Sequence, residues 1–269
     1  MRKEAFLWLV MGSSFLVLTF ILVPLLRMVT APSLASLWET ISDPDVYRSI
    51  WLSLYTGVSA AAICFVFGTP LAYLLARSQF RGKRIVEAIV DLPIVIPHPV
   101  VGIALLGLVG KNFWLGRLMS ELGLRIIGSP AGIIMVMTFV GLPFYLQAAK
   151  EGFASVSPRL EHVSRSLGAS MWATFFGVTF PLAWRYILSG IIMCCARAIS
   201  EFGAVVIIAY HPMIAPVLMF ERFQSFGLRY SQPVAVWLIV VCLLLFVSLR
   251  MVGGGSRKTE SGNRTGSRI

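Results

Sequence analysis

Residues 157–181 read SPRLEHVSRSLGASMWATFFGVTFP and separate two long apolar runs, 131–148 and 183–209. The segment is patterned as structure rather than as linker. Ser157 suits an N-cap, and Pro158 suits the first helical position, where its missing N–H costs nothing. Leu160, Val163 and Leu167 then recur on one face at helical spacing. Gly168 is placed to end that helix in the left-handed conformation that other residues resist. A second short helix is expected from about Ser170 through Trp172, Phe175 and Phe176, with Pro181 just before the next apolar run. Two short helices joined by a glycine turn at a membrane surface are the result. Physics alone also allows a plainer reading, an amphipathic hairpin resting on lipid.

The membrane follows from composition. Of 269 residues, 57% are apolar and 13% charged, and the mean hydropathy is +0.82. A soluble domain is about 45–50% apolar and about 25% charged, so a soluble fold of this length could not hide so much apolar surface. A helix needs about 20 apolar residues to cross a hydrocarbon core of about 30 Å. Six segments qualify: Phe6 to Leu26, Ile50 to Leu75, Ile85 to Val109, Ala131 to Ala148, Ala183 to Ala209 and Val234 to Leu249. The first is too long for a signal peptide and has no small-residue cleavage site close behind it, so it is kept as a span.

The loops orient these spans. Fifteen of the 23 Lys and Arg lie in the N-terminus, the second loop, the fourth loop and the C-terminal tail. Seven lie on the opposite side, and Arg197 sits inside the fifth span. Basic loops stay in the cytoplasm. The expectation is an all-α integral membrane protein with six transmembrane helices and both termini cytoplasmic. Its transmembrane domain covers 1–252, and a polar, Gly- and Ser-rich tail over 253–269 is expected to be disordered.

The loop resembles more than a lipid-bound hairpin. Glu161-His162-Val163-Ser164-Arg165-Ser166-Leu167-Gly168-Ala169-Ser170, followed by Val178-Thr179-Phe180-Pro181, is similar to the EAA loop of ABC importer permeases. In that family Glu-Ala-Ala is followed by a short gap, Gly, nine residues, an aliphatic residue, one more, then Leu and Pro. Gly168 here is followed by nine residues and Val178. His162-Val163-Ser164 stand at the Glu-Ala-Ala positions, Glu161 lies one place earlier, and Phe180 replaces the leucine. Asp91-Leu92-Pro93-Ile94-Val95-Ile96-Pro97-His98-Pro99 resembles the Asp-Leu-Pro segment of the sulfate/molybdate branch. Ser200-Glu201-Phe202-Gly203-Ala204, after Arg197, resembles that branch's fifth-helix signature. Residues 207–222 are more similar to the molybdate/tungstate permeases than to the sulfate ones.

The resemblance implies a multi-pass subunit of the cell membrane that imports molybdate or tungstate. It implies two copies of this chain, two ABC ATPase subunits and an external substrate-binding protein. It also implies an ATPase-coupling role for Pro158, Leu160, Glu161, His162, Ser164, Arg165, Leu167, Gly168 and Ala169. Sulfate import by an ABC permease is the alternative within the family; an ion-coupled secondary transporter using Asp91, Arg197 and Glu201 is the alternative outside it.

The charged and irregular residues inside the spans are candidates for the pathway or gate: Asp91, Pro93, Pro97, Pro99, Arg197, Glu201, Phe202 and Gly203. Three prolines in seven residues break helical hydrogen bonding, which lipid tolerates only where the backbone packs on protein or lines a wet cavity. Arg197 and Glu201 are four apart and share a face. They read either as an attractive centre for a passing oxyanion or as an interhelical clamp that includes Asp91. His98, alone between prolines, reads as structural. Gly82-Lys83 and Gly110-Lys111 lack the rest of a Walker A motif, so ATP hydrolysis is expected from a partner and the chain is not expected to be an enzyme. Cys64, Cys194, Cys195 and Cys242 have no metal or redox spacing. No metal, cofactor or nucleic-acid partner is called for.

The charge asymmetry predicts the result of external cysteine labelling on a cysteine-free background. In intact cells an impermeant reagent should modify Met119→Cys and leave His162→Cys untouched; modification at 162 would overturn the orientation.

Overall fold

The computed structural model describes residues 2–254. Helices follow one another as α1 (Arg2–Thr30), α2 (Leu34–Ser42), α3 (Pro44–Arg77), α4 (Lys83–Val95), α5 (His98–Val109), α6 (Trp114–Glu121) and α7 (Pro130–Ser155). Then come α8 (Pro158–Ser166), α9 (Met171–Thr174), α10 (Phe180–Ile199), α11 (Gly203–Ile208), α12 (Ala215–Phe226) and α13 (Leu228–Gly254). No strand occurs among the described residues. Five helical stretches are long and apolar enough to cross a membrane, and the α4–α5 pair makes a sixth if it is one interrupted span. The remainder of the expected polar tail, from residue 255, lies outside the described residues.

The core is a three-helix packing of α3, α7 and α10. Tyr145, Phe153, Leu146, Ile187 and Cys64 are buried there, and small residues let the backbones close in. At Gly68 a Cβ would stand 2.8 Å from the Tyr145 ring, and at Gly141 one would stand 2.7 Å from Cys194 Sγ. Lipid offers no hydrophobic force between helices, so such close van der Waals packing holds the bundle. The Tyr145 hydroxyl meets Thr69 Oγ1 at 2.5 Å, so the ring is buried without an orphaned oxygen.

At the end where α3 begins, Asp43 accepts from the Asp45 backbone N–H at 2.9 Å and from Arg222 at 2.5 Å. Ser53 Oγ accepts from Ala215 N at 2.8 Å, which ties α12 to α3. Burial would raise the Asp43 carboxyl, but the Asp45 and Arg222 hydrogen bonds outweigh it and hold it below its ordinary value. This tie is therefore present at neutral pH and lost only when acid protonates Asp43 below the usual carboxylate range. α1 packs lightly on α13 and exposes apolar side chains along its length.

Three expectations need correction. The third span is not one helix: α4 and α5 meet at a bend of 112°. Pro97 forces Ile96 into extended backbone (φ −71°, ψ 133°) and, with Pro99, withholds the N–H groups that would continue the helix. The fifth span does not run from Ala183 to Ala209. Its helix starts at Met171, passes through one π-helical turn at Phe175–Thr179, and stops at Ile199. The π turn widens the ladder just where Pro181 lacks its donor, so the expected second short helix is the start of the span itself. After a break at 200–202 the chain becomes helical again as α11, with Ala204, Val205 and Ile208 buried.

The two interrupted spans lean on each other at glycines. A Cβ on Gly102 of α5 would meet Ala204 O and Ile207 Cβ, each at 2.9 Å. Gly107, one turn and a half further on, has nothing within 4 Å. Gly102→Ala should therefore cost about 1–3 kcal/mol through overpacking, read as a lower unfolding midpoint of the detergent-purified protein. Gly107→Ala should leave the midpoint unchanged or slightly raised.

Candidate functional site

Two clusters bring together the residues singled out above, one at the α8 hairpin and one where the interrupted spans meet. In the hairpin, Ser157 is extended and Pro158 holds the first turn, although the Ser157 side chain makes no capping bond. The helix ends as its sequence predicts. Gly168 has φ +92°, its N–H bonds Arg165 O at 3.0 Å, and Ala169 N–H bonds Ser164 O at 3.2 Å, the paired bonds of a glycine-terminated helix. Ser170 caps the next helix through Ala173 N at 3.1 Å.

The faces of α8 divide cleanly. Leu160, Val163 and Leu167 are 47%, 58% and 84% exposed, and Pro158, His162, Arg165 and Gly168 are also on the open side; Ala169 is half-buried. Glu161 and Ser164 face their own chain. Glu161 Oε1 accepts from Arg77 Nη2 at 2.6 Å, from Arg77 Nε at 3.0 Å and from Thr179 Oγ1 at 2.8 Å. Arg77 also donates to Val156 O at 2.9 Å. Ser164 Oγ lies 3.1 Å from Thr174 Oγ1. Of the nine residues expected at this site, these two hold the hairpin onto α3 and onto the start of the fifth span. Arg77 and Thr179 were missed because they lie 84 and 18 residues from Glu161 and nothing local pairs them.

At the second cluster, Arg197 Nη2 lies 2.8 Å from Glu201 Oε2, so the pair forms as the four-residue spacing predicts. Asp91 does not join it. Asp91 sits on α4, before the bend, and accepts from Gln147 of α7 at 3.0 Å. The third member is His98, which the bend turns inward. Its Nδ1 lies 2.8 Å from Glu201 Oε2, and Arg197 Nη2 is 2.7 and 2.9 Å from its two ring nitrogens. Glu201 Oε1 accepts from Ala204 N at 3.0 Å. Pro93 is buried within α4, whereas Pro97 and Pro99 line the exposed rim of the break. Phe202 packs on Phe220 with ring centroids 4.8 Å apart. A Cβ on Gly203 would stand 3.1 Å from His98 Cβ, so this glycine lets the cluster close.

Comparison with known proteins agrees with this architecture. The family described as "Binding-protein-dependent transport system inner membrane component" matches residues 68–254. The "Molybdate/tungstate transport system permease protein WtpB" of Thermococcus kodakarensis is 42% identical over 94% of this chain and 98% of its own length. The "Sulfate transport system permease protein CysT" of Synechocystis is 32% identical over 84% of this chain and 80% of its own. Among solved structures, a chain of a bacterial alginate ABC transporter superposes with a TM-score of 0.75 over 94% of this chain and 95% of that one, at 16% identity. A chain of the MetNI methionine ABC transporter does so at 0.57 and 18% identity, over 77% and 92%. The chain thus belongs to the inner-membrane permease family of binding-protein-dependent, ABC-type transport systems.

Proposed function

We propose that this permease carries molybdate or tungstate, tetrahedral oxo-dianions handed over by an external binding protein, across the cell membrane. The observation that carries this reading is the identity gradient. Relatives named for molybdate/tungstate transport match at 40–43% over at least 88% of the chain, against 32% for the sulfate permease. The pathway lies between two copies of the chain, with both termini and α8 in the cytoplasm. Two ATPase subunits dock on α8 and supply the hydrolysis.

The faces of α8 support the docking role. An apolar row exposed on a short polar helix has no partner among the described residues, while Glu161 and Ser164 fasten its other side. A push on α8 would pass through the Glu161–Thr179 bond into the helix that carries Arg197. Eighteen residues separate Thr179 from Arg197, about 27 Å of helix at 1.5 Å per residue. The family assignment leaves the ion-coupled alternative without support.

Reconstitution with the cognate ATPase and binding protein tests the substrate. Vesicles should take up molybdate and tungstate with stimulated ATP hydrolysis. Stimulation by sulfate with none by molybdate or tungstate would overturn the substrate and leave the importer standing. The docking role has its own test. Gly168→Val forces a β-branched residue into left-handed backbone at a cost of at least about 1 kcal/mol, in a place where a Cβ otherwise meets only open space. The variant should insert in the membrane yet retain less ATPase on co-purification; normal assembly and uptake would refute docking through this loop.

A further inference from the structure

The cluster of His98, Arg197 and Glu201 differs from a simple clamp in the way its charges are layered. The side chains are 38%, 19% and 1% exposed, respectively. The carboxylate is at the back, locked by Ala204 N, His98 and Arg197. The guanidinium and the imidazole are in front, on a rim with exposed Pro97, Pro99, Ala196 and Ser200. Arg197 reaches Ser200 Oγ only at 3.4 Å through Nη1, and its Nε makes no hydrogen bond among the described residues. Arg197 stands in the last turn of α10, at the break. Ionisable side chains within membrane segments face the protein interior or a water-filled cavity rather than lipid, so a rim of this kind faces water or protein.

We propose that this rim is a transit site for the oxyanion, with Arg197 as the group that touches it and Glu201 as the group that keeps the contact weak. A fixed cation with no counter-charge would hold a dianion rather than pass it. Here the net charge of the Arg197–Glu201 pair is zero, but the guanidinium is the partly exposed member, with Nε unpartnered among the described residues, and the carboxylate oxygens are buried behind it. The anion meets hydrogen-bond donors and a favourable local field without meeting an unbalanced cation. His98 is a positioning residue that holds Glu201 back on the open side. This inference rests on the oxyanion reading above and adds the place where the anion pauses.

Two variants separate a transit site from a clamp. Glu201→Gln keeps the cap on Ala204 but leaves Arg197 unbalanced. The purified complex should then retain molybdate in equilibrium dialysis that the unmodified complex does not, and maximal uptake should fall about tenfold or more. Arg197→Gln combined with Glu201→Gln should slow uptake to a similar degree without retaining anion. A clamp would make the two variants behave alike and retain nothing, and that result overturns the proposal. A third measurement needs no change in the cluster. Ser200→Cys on a cysteine-free background should react faster with an anionic than with a cationic thiosulfonate of similar size, by about threefold or more, and molybdate should slow the reaction. Equal rates without protection would overturn the proposal even if the glutamate variants fail to assemble. Absence of uptake by the unmodified complex would instead count against the oxyanion reading, while the labelling ratio would still report on the rim.

Discussion

The Glu201 carboxylate is the interaction on which the membrane half of this fold turns. A bilayer leaves no water to satisfy a broken helix, so every interruption must find its partners inside the protein. Two spans are interrupted here, at 96–97 and at 200–202. Glu201 sits in the second break and bonds residues on both. It takes the Ala204 amide in the first turn of α11, the guanidinium of α10 and the imidazole that opens α5. Remove the carboxylate and the break loses its cap, Arg197 loses its counter-charge, and His98 loses its anchor. Gly102 and Gly203 supply the close approach that lets these bonds form.

The hairpin end is organised by a second, half-buried carboxylate with the opposite consequence. Glu161 is held by Arg77 and Thr179, so α8 moves with α3 and with the long helix beginning at Met171. The outward side chains of α8 are exposed among the described residues. One fifth-span helix thus joins both sites: its start is bonded to α8, and its far end carries Arg197. That helix packs closely along α7, because Gly141 and Gly152 admit Cys194 and Tyr186 against the α7 backbone.

Much of this was legible from sequence for physical reasons. Apolar runs are long because the bilayer is thick, and the glycine that ends α8 is visible because left-handed backbone selects glycine. The same hydropathy concealed the breaks. Runs 85–109 and 183–209 are continuous in polarity, and it is the stereochemistry of Pro97 and Pro99 that stops the first, while Glu201 caps the restart of the second. Asp91 was drawn toward Arg197 because both are charges in spans, yet the bend separates them and Gln147, an uncharged residue on another span, takes its place. Glu161 was placed on the docking face because its family motif lies there. Its true direction depends on Arg77, and no local pattern reveals a bond between residues 84 apart.

In the proposed docking, the outward face of α8 receives the ATPase and its inward face does not. Single cysteines at Val163 and Ser164, on a cysteine-free permease assembled with the ATPase and treated with a short bifunctional thiol reagent, test it most directly. Position 163 should form a permease–ATPase adduct in high yield and position 164 almost none. Equal cross-linking at both positions, or none at 163 in an intact complex, would contradict the account.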